Sequence, residues 1–269
     1  MRQNPPVTSG LVEYAVPVYT DFRGLILRGG MRVYIGFDDT DNEDSDFGTG
    51  KVARRYAKVI SEQGSVWGVV RQQLLVDPRI PYTSHNSSAC VVVDVEDPVS
   101  VGRLAELAAG HIEATAAAGS DPGLCIACEG DPSLPGLMEF GRRCTERIMA
   151  QKDAIRAAGS AFLSGHGGTN DGIIGAAAAV GLTASGWSGR FIEFSDLRQA
   201  PDPVSVGALR ERGIRVVSLD RDAACPGPPD MVNTKGWLRP RLWGYEAVLP
   251  VAPAGPGLWQ SLGEKRKKS

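Results

Sequence analysis

The sequence predicts an α+β (mixed α/β) fold, in which a mixed sheet is packed against helices and opens with the element order β-α-β-β. Val33, Ile35 and Phe37 alternate with other residues as in a half-buried strand. Apolar residues then recur at helical spacing in residues 52–60, and the runs 66–75 and 89–95 predict two strands directly after that helix. A strand, a helix and two further strands are typical of a mixed sheet with helices packed on it.

The rest of the chain alternates between helical and strand-like patterns. Two apolar helical faces are predicted, one within residues 104–112 and one within residues 137–148. Between them, Cys125 and Cys128 lie in a short apolar run, and because no second pair follows at zinc spacing, we expect buried structural thiols there. Further helices are predicted at residues 173–180 and 206–212, and further strands at 191–194, 216–219 and 246–251.

An acidic loop follows the first strand and contains Asp38, Asp39 and Asp41. Carboxylates this close together raise one another's pKa unless a cation neutralises them. Hard oxygen ligands of this kind suit Mg²⁺ or Mn²⁺, so the three residues are candidate metal ligands. The alternative is a solvated turn, in which Asp is common for its local hydrogen bonds. The loop alone leaves both interpretations open.

The same loop runs into Gly48, Thr49, Gly50 and Lys51, at a predicted helix start. Glycines allow close approach of a ligand, a helix N-terminus offers free N–H groups, and a lysine adds positive charge, so the segment suits a phosphate. It is not a Walker A loop, because Ser45 stands where the first glycine is required. The spacings of an EF-hand and of a dinucleotide-binding fingerprint are absent as well.

Two later segments also offer groups that could hold a nucleotide. In the loop 77–88, Thr83, His85 and Asn86 can contact phosphate or ribose oxygens, although an ordinary hairpin loop has a similar composition. In the turn 165–171, four residues precede a predicted helix and form a candidate anion site: Gly167, Gly168, Thr169 and Asn170. The Gly- and Ala-rich helix that follows is expected to pack very closely on its neighbours.

Three segments together resemble a known family. They are IGFDDTDN at residues 35–42, DPRIPYTSHNSSA at residues 77–89 and GTNDGIIGAAAAVG at residues 168–181. In order and approximate spacing they are similar to motifs of TiaS, the archaeal tRNA(Ile) agmatinylcytidine synthetases, and of their short bacterial relatives. The resemblance covers about residues 31–220. Such an ordered set is more specific than any single motif.

The resemblance implies a kinase-like and ferredoxin-like core, with the ferredoxin-like arrangement expected in the second part. It implies that Asp38, Asp39 and Asp41 bind metal and that Thr49 takes part in phosphoryl transfer with ATP and Mg²⁺. The sequence departs from the family in two ways. Gly48 and Gly50 flank Thr49 where the family tends to have Cys and Thr, and the family's OB-fold and zinc ribbon would begin where this chain ends. A tRNA substrate is therefore not implied by this chain alone.

These observations predict a Mg²⁺-dependent, ATP-binding enzyme that performs phosphoryl transfer or ATP-driven activation of an unknown small-molecule acceptor. Thr49, Asp39 and Lys51 are the expected catalytic residues. One alternative is a regulatory protein that binds a nucleotide without turnover. Another is an RNA-modifying enzyme that relies on a partner for RNA binding.

Composition and charge limit the other classes of function. The net charge of −2 argues against bulk electrostatic capture of nucleic acid or membrane. No apolar run of membrane-spanning length and no signal-peptide pattern is present, so we expect a cytoplasmic protein. The expected organisation is an extension at 1–30, a nucleotide-binding core at 31–225 with a division into 31–96 and 97–225 left open, and a linker, closing strand and basic tail at 226–269.

The segment 234–243 interleaves basic and aromatic residues. Lys235, Arg239 and Arg241 are interleaved with Trp237 and Trp243. Cations and aromatic rings together can grip a nucleobase and a phosphate. We prefer the alternative of an edge strand with arginines that extend along the surface.

Overall fold

The computed structural model describes residues 30–42, 45, 47–80, 86–97, 99–219 and 225–263. The proposed extension, the basic tail after residue 263, and Thr83 and His85 lie outside these ranges. The helices are α1 (Thr49–Val59), α2 (Val99–Thr115), α3 (Leu134–Cys144), α4 (Gln151–Ala158), α5 (Gly172–Ala184) and α6 (Val206–Glu211). The strands are β1 (Met31–Asp38), β2 (Ser65–Gln73), β3 (Ser87–Val95), β4 (Gly123–Cys128), β5 (Phe162–Gly165), β6 (Arg190–Glu193), β7 (Val204–Ser205), β8 (Ile214–Ser218), β9 (Met231–Asn233), β10 (Arg241–Trp243), β11 (Glu246–Gly255) and β12 (Leu258–Ser261).

Within the described ranges, the strands form one 12-stranded sheet in the order β5-β4-β1-β3-β2-β6-β10-β11-β12-β9-β7, with β8 paired to β11. Most neighbours are antiparallel, and β8 with β11 and β9 with β12 are parallel. The α+β class and the β-α-β-β opening are thus confirmed. The arrangement β-α-β-β-α-β with strand order β4-β1-β3-β2 is ferredoxin-like and occupies the first part of the chain, earlier than expected.

Helices cover both faces of the first half of the sheet. Helices α1 and α2 bury Tyr56 and Leu104 against one face, and α3, α4 and α5 bury Phe140 and Ile173 against the other. Cys125 and Cys128 are buried in β4, which agrees with the expectation of structural thiols. No helix in the described ranges is both long enough and apolar enough to cross a membrane.

Two local predictions differ from the structure. The helical face predicted to reach Ile148 ends at Cys144, and Ile148 is 43% exposed between α3 and a separate helix, α4. Helix α4 begins after Ala150, whose side chain cannot act as a cap, so the only start signal is Asp153 in the first turn, which accepts a hydrogen bond from the Ala150 amide at 3.2 Å. Strand β10 is not an edge strand, because β6 and β11 flank it and the last strands of the chain extend the sheet beyond it.

Helix α5 packs unusually close to the sheet, as its small residues predict. A Cβ atom added to Gly36 of β1 would lie 2.2 Å from the carbonyl oxygen of Ala176. One added to Gly181 would lie 1.9 Å from the carbonyl oxygen of Leu137 in α3. Glycine is therefore required where α5 crosses β1 and α3, since any side chain would separate the backbones.

We predict that Gly36→Ala destabilises the protein, because the new methyl group has no space against the α5 backbone. The expected loss in the free energy of unfolding is about 1–3 kcal/mol. The matched control is Gly110→Ala in α2, where an added Cβ meets nothing within 4 Å. That change should raise stability by about 0.5–1 kcal/mol, because alanine favours a helix interior. Urea unfolding of both variants checks this, and a Gly36→Ala protein as stable as wild type would contradict it.

Candidate functional site

The acidic loop lies at the end of β1 beside a pocket of about 700 Å³. Asp38, Asp39 and Asp41 all line this pocket. Asp39 adopts a left-handed backbone conformation with φ of 51°, which Asp tolerates better than most residues and which ends the extended strand. The strand end therefore brings the three carboxylates together along one wall.

Crowding and burial change the acidity of two of these carboxyl groups. Burial raises the pKa of Asp38 to about 8, with the charges of Asp39 and Asp41 adding to the effect. Burial also raises the pKa of Asp39 to about 6, and Asp121, Asp41 and Asp171 contribute repulsion. Among the residues that the structure describes, no three His, Cys, Asp or Glu side chains converge as a ready metal cage. The wall is a set of carboxylates under repulsion, which a cation would relieve.

Thr49 connects the acidic loop to the start of α1. Its hydroxyl donates to Asp41 Oδ1 at 3.1 Å and accepts from the Thr40 amide at 3.3 Å and the Thr40 hydroxyl at 3.1 Å. The Thr49 amide donates to the same Asp41 oxygen at 3.0 Å. Thr49 is buried yet borders the pocket, and in this structure its hydroxyl holds the loop in place.

The other residues of this segment lie beside the pocket rather than in its lining. Gly48 lies against the Asp41 carboxylate, where an added Cβ would be 3.4 Å from Oδ2. Gly50 faces Ile192, at 3.0 Å from an added Cβ. Lys51 is exposed, and its ammonium lies 5.0 Å from the centre of the Phe47 ring. The structure therefore does not bring Lys51 into the pocket.

The loop of the second motif contributes one predicted residue to the pocket. Asn86 lines it and donates from Nδ2 to the Leu75 carbonyl at 2.7 Å. Arg79 is not among the predicted site residues, but it also lines the pocket and forms an exposed ion pair with Asp77 at 2.8 Å. That guanidinium lowers the pKa of Asp77 to about 2.

The Gly-rich turn binds an anion that belongs to the chain itself. The amides of Thr169 and Asn170 donate to the carboxylate of Asp121 at 2.9 and 2.7 Å, and the Thr169 hydroxyl donates to it as well. Gly168 has a φ of +54°, and Gly167 precedes it on the same turn. None of the four predicted residues lines the pocket. In this structure the amides proposed for a phosphate are occupied by Asp121 instead.

The structure adds basic residues to the pocket that the sequence did not indicate. Arg147, in the connection between α3 and α4, and Lys152, at the start of α4, line the same pocket as the carboxylates. Gln151 precedes Lys152 and donates to Asp171 Oδ1 at 2.6 Å, which fixes a fourth pocket carboxylate. No motif marks these residues, so only their position next to a predicted helix end could have suggested them.

Neither a protein-family profile nor a curated protein matches the sequence. Among solved structures, the crystal structure of a tRNA fluorescent labeling enzyme aligns with a TM-score of 0.49 and 29% identity, over 56% of this chain and 36% of that chain. Two crystal structures of TiaS, one in complex with tRNA, AMPCPP and agmatine and one with tRNA and ATP, align with a TM-score of 0.48, 29% identity and the same coverage. Over this stretch the chain is similar to TiaS. It spans about a third of the length of those chains, and TiaS is also the family that the three sequence motifs resemble.

We predict that Asp38→Asn stabilises the metal-free protein increasingly as the pH rises. Because the pKa of Asp38 is raised to about 8 on folding, the folded protein holds this proton more tightly than the unfolded chain does. The wild type therefore loses stability from about pH 4 to pH 8, whereas Asn has no proton to lose. The expected gain is near zero at pH 4 and about 1–3 kcal/mol at pH 8, after allowance for solvent screening.

Urea unfolding with EDTA at pH 4.5, 6 and 8 measures this gain. The exposed Asp196→Asn is the control for removal of a surface carboxylate. A gain for Asp38→Asn that stays constant with pH would show that folding does not raise the pKa of Asp38.

Proposed function

We propose that the pocket binds a nucleoside triphosphate with Mg²⁺ and that the protein is an ATP-using enzyme, which transfers a phosphoryl group or activates a small-molecule acceptor. The observation that supports this is the pairing of opposite charges in one pocket. Carboxylates line part of it, and the cations of Arg79, Arg147 and Lys152 line another part. A triphosphate with a divalent cation carries both charges in one ligand, so it complements both sets of residues.

The basic residues are available for a phosphate. Arg147 and Lys152 have no hydrogen bond or ion pair from their side chains within the part of the chain that the structure describes. An arginine fork and a lysine charge suit phosphate oxygens. By contrast, Arg79 is already paired with Asp77, so it has to exchange partners to bind a ligand.

The size and the apolar part of the pocket suit a nucleotide. Its volume of about 700 Å³ is within the range of small-molecule sites. Several apolar side chains complete its lining and offer a surface for a base: Leu74, Ile80, Ile148, Met149 and Ile174.

The metal would be held by Asp38 and Asp39, with Asp41 as a further candidate. Asp41 Oδ1 already accepts two hydrogen bonds from Thr49, so it is less free to act as a ligand. Mg²⁺ commonly binds one or two carboxylates together with substrate phosphates and does not need an all-protein cage. The absence of a converged three-carboxylate group in the described ranges is therefore compatible with such a site. When bound, the ion would neutralise phosphate charge and align the reacting oxygens.

A second candidate function is nucleotide binding without turnover. The observation that favours it is the arrangement of Thr49 and Lys51, two of the three expected catalytic residues. The Thr49 hydroxyl is engaged with Thr40 and Asp41, and Lys51 lies outside the lining of the pocket. Phosphoryl transfer through Thr49 requires that these hydrogen bonds open when the ligand binds.

We predict that Asp39→Asn and Arg147→Ala each weaken binding of Mg²⁺-ATP, about tenfold or more. The first change removes a charge that attracts the cation. The second removes a guanidinium group that can donate two hydrogen bonds to phosphate oxygens. The matched control is Arg142→Ala, an exposed α3 arginine paired with Glu139 and Glu146 outside the pocket. Calorimetric titration with ATP, with and without Mg²⁺, measures the affinities. If wild type does not bind Mg²⁺-ATP in this titration, the proposal fails.

We predict that wild type hydrolyses ATP or phosphorylates itself. Thr49→Val should abolish this activity, and Thr49→Ser should retain part of it. A serine keeps the hydroxyl, whereas valine keeps the shape and removes it. Single-turnover assays with labelled ATP, alone and with added tRNA, measure the reaction and test whether RNA is the acceptor. Tight ATP binding without any turnover in wild type would favour the second candidate.

A further inference from the structure

Three arginines stand side by side on neighbouring strands, outside the lining of the pocket. Arg71 of β2 is opposite Arg190 of β6, and Arg190 is opposite Arg241 of β10. Residues directly opposite on antiparallel strands point to the same face, with Cβ atoms about 4.5–5.5 Å apart. We call these three residues the arginine row.

The arginine row lies on the face of the sheet that carries α1. Val69 and Ala89 belong to the core that α1 packs on. Arg71 shares their face, because it is two residues after Val69 on β2 and directly opposite Ala89 on β3. Arg190 and Arg241 follow on the same face, since each is opposite its neighbour in the row. The row is solvent-accessible, with Arg190 exposed and the other two half-buried.

Among the residues that the structure describes, the arginine row has no counter-charge. None of its side chains has a hydrogen bond or ion pair within the described residues. Elsewhere on the sheet, arginines are paired: Arg32 with Asp94 at 2.8 Å and Arg215 with Glu246 at 2.9 Å. Like charges directly opposite on a sheet are destabilising, so the row costs stability unless an anion neutralises it.

Neighbouring contacts agree with an anion site. Burial lowers the pKa of Arg71 and Arg241, and the adjacent charge of Arg190 lowers both further. Arg239, two residues before Arg241, has a buried Nε with no acceptor among the described residues, and its guanidinium lies 4.1 Å from the centre of the Trp237 ring. Its Nη1 donates to the Leu238 carbonyl at 2.7 Å, and the charge of Glu193 acts on it as well. Stacking fixes the plane of a guanidinium and leaves its N–H edges free for an oxyanion.

We propose that the arginine row binds the phosphate group of a small phosphorylated ligand, at a site separate from the pocket. Guanidinium forks match the oxygens of phosphate, and a doubly charged group offsets most of the charge of the row. The row spans two strand spacings, about 10 Å, which suits one or two phosphates rather than a long polymer. The net charge of −2 also provides no bulk attraction for a polymer. This proposal does not depend on the function proposed for the pocket.

The test is calorimetric titration of the full chain with inorganic phosphate and with pyrophosphate, in EDTA at constant ionic strength. Wild type should bind at least one of them saturably at millimolar concentration or below. Arg190→Ala should weaken this at least tenfold, and Arg190→Lys, which keeps the charge and loses the fork, should weaken it less. The matched control Arg215→Ala, an exposed strand arginine with a partner, should bind as wild type does.

Thermal melts without ligand and with phosphate give a second readout, which a loss of structure in the variant would not reproduce. Arg190→Ala should melt at or above the wild-type temperature, because repulsion is relieved, and it should lose the phosphate-induced rise. If Arg190→Ala does not fold, Arg241→Gln serves in its place.

A double change of Arg147 and Lys152 to Ala separates this site from the pocket, and that variant should still bind phosphate. Three results would overturn the proposal: no saturable binding by wild type, undiminished binding by Arg190→Ala, or loss of binding only in the pocket variant. Binding of a single-stranded RNA oligomer without binding of phosphate or pyrophosphate would overturn it as well.

Discussion

The close approach of α5 to β1 is the constraint on which the candidate site depends. Gly36 lets the helix backbone approach the strand, and Gly175 lets it approach the end of that strand. A Cβ atom on Gly175 would lie 1.7 Å from Asp38 Oδ2, so the carboxylate rests on the helix backbone. Because it is held there, partly buried and beside two further carboxylates, its pKa rises. The same packing brings the first turn of α5, with Gly172, to the pocket wall. The contact between the α5 backbone and the Asp38 carboxylate thus contributes to the raised pKa of this group.

Asp121 shows how a motif suited to an anion can be satisfied within the chain. The turn 167–170 has the glycines and free amides of a phosphate-binding loop, and its amides bind this carboxylate. The Gly172 amide also donates to the Asp121 carbonyl, so the residue anchors the start of α5. Its charge contributes to the repulsion on Asp39. Amide geometry alone does not distinguish an internal anion from an external one, because both offer the same oxygens.

The parts of the fold that the sequence predicted are those with local periodicity. Strands β1, β2 and β3 and helices α1 and α5 carry clear patterns of apolar residues or glycines. Strands β7, β9 and β12 have two to four residues, too few to show a period. In the site, the aspartates of the first strand end could be predicted because they adjoin one another in sequence. Arg147 and Lys152 could not, since their place in the same pocket results from the packing of α3 and α4.

Folding separates charges that are nearly balanced in the sequence. With a net charge of only −2, the chain places carboxylates around one pocket and, on one face of the sheet, arginines that have no ion pair with any described residue. In each place like charges lie close together, so their Coulomb repulsion destabilises the folded state and not the unfolded chain. A ligand of opposite charge relieves that repulsion only in the folded protein, and its binding therefore raises the free energy of unfolding. For such sites, stability without ligand and affinity for ligand change in opposite directions when one charge is removed. A charged residue on an ordinary solvated surface affects neither quantity strongly, because water screens it.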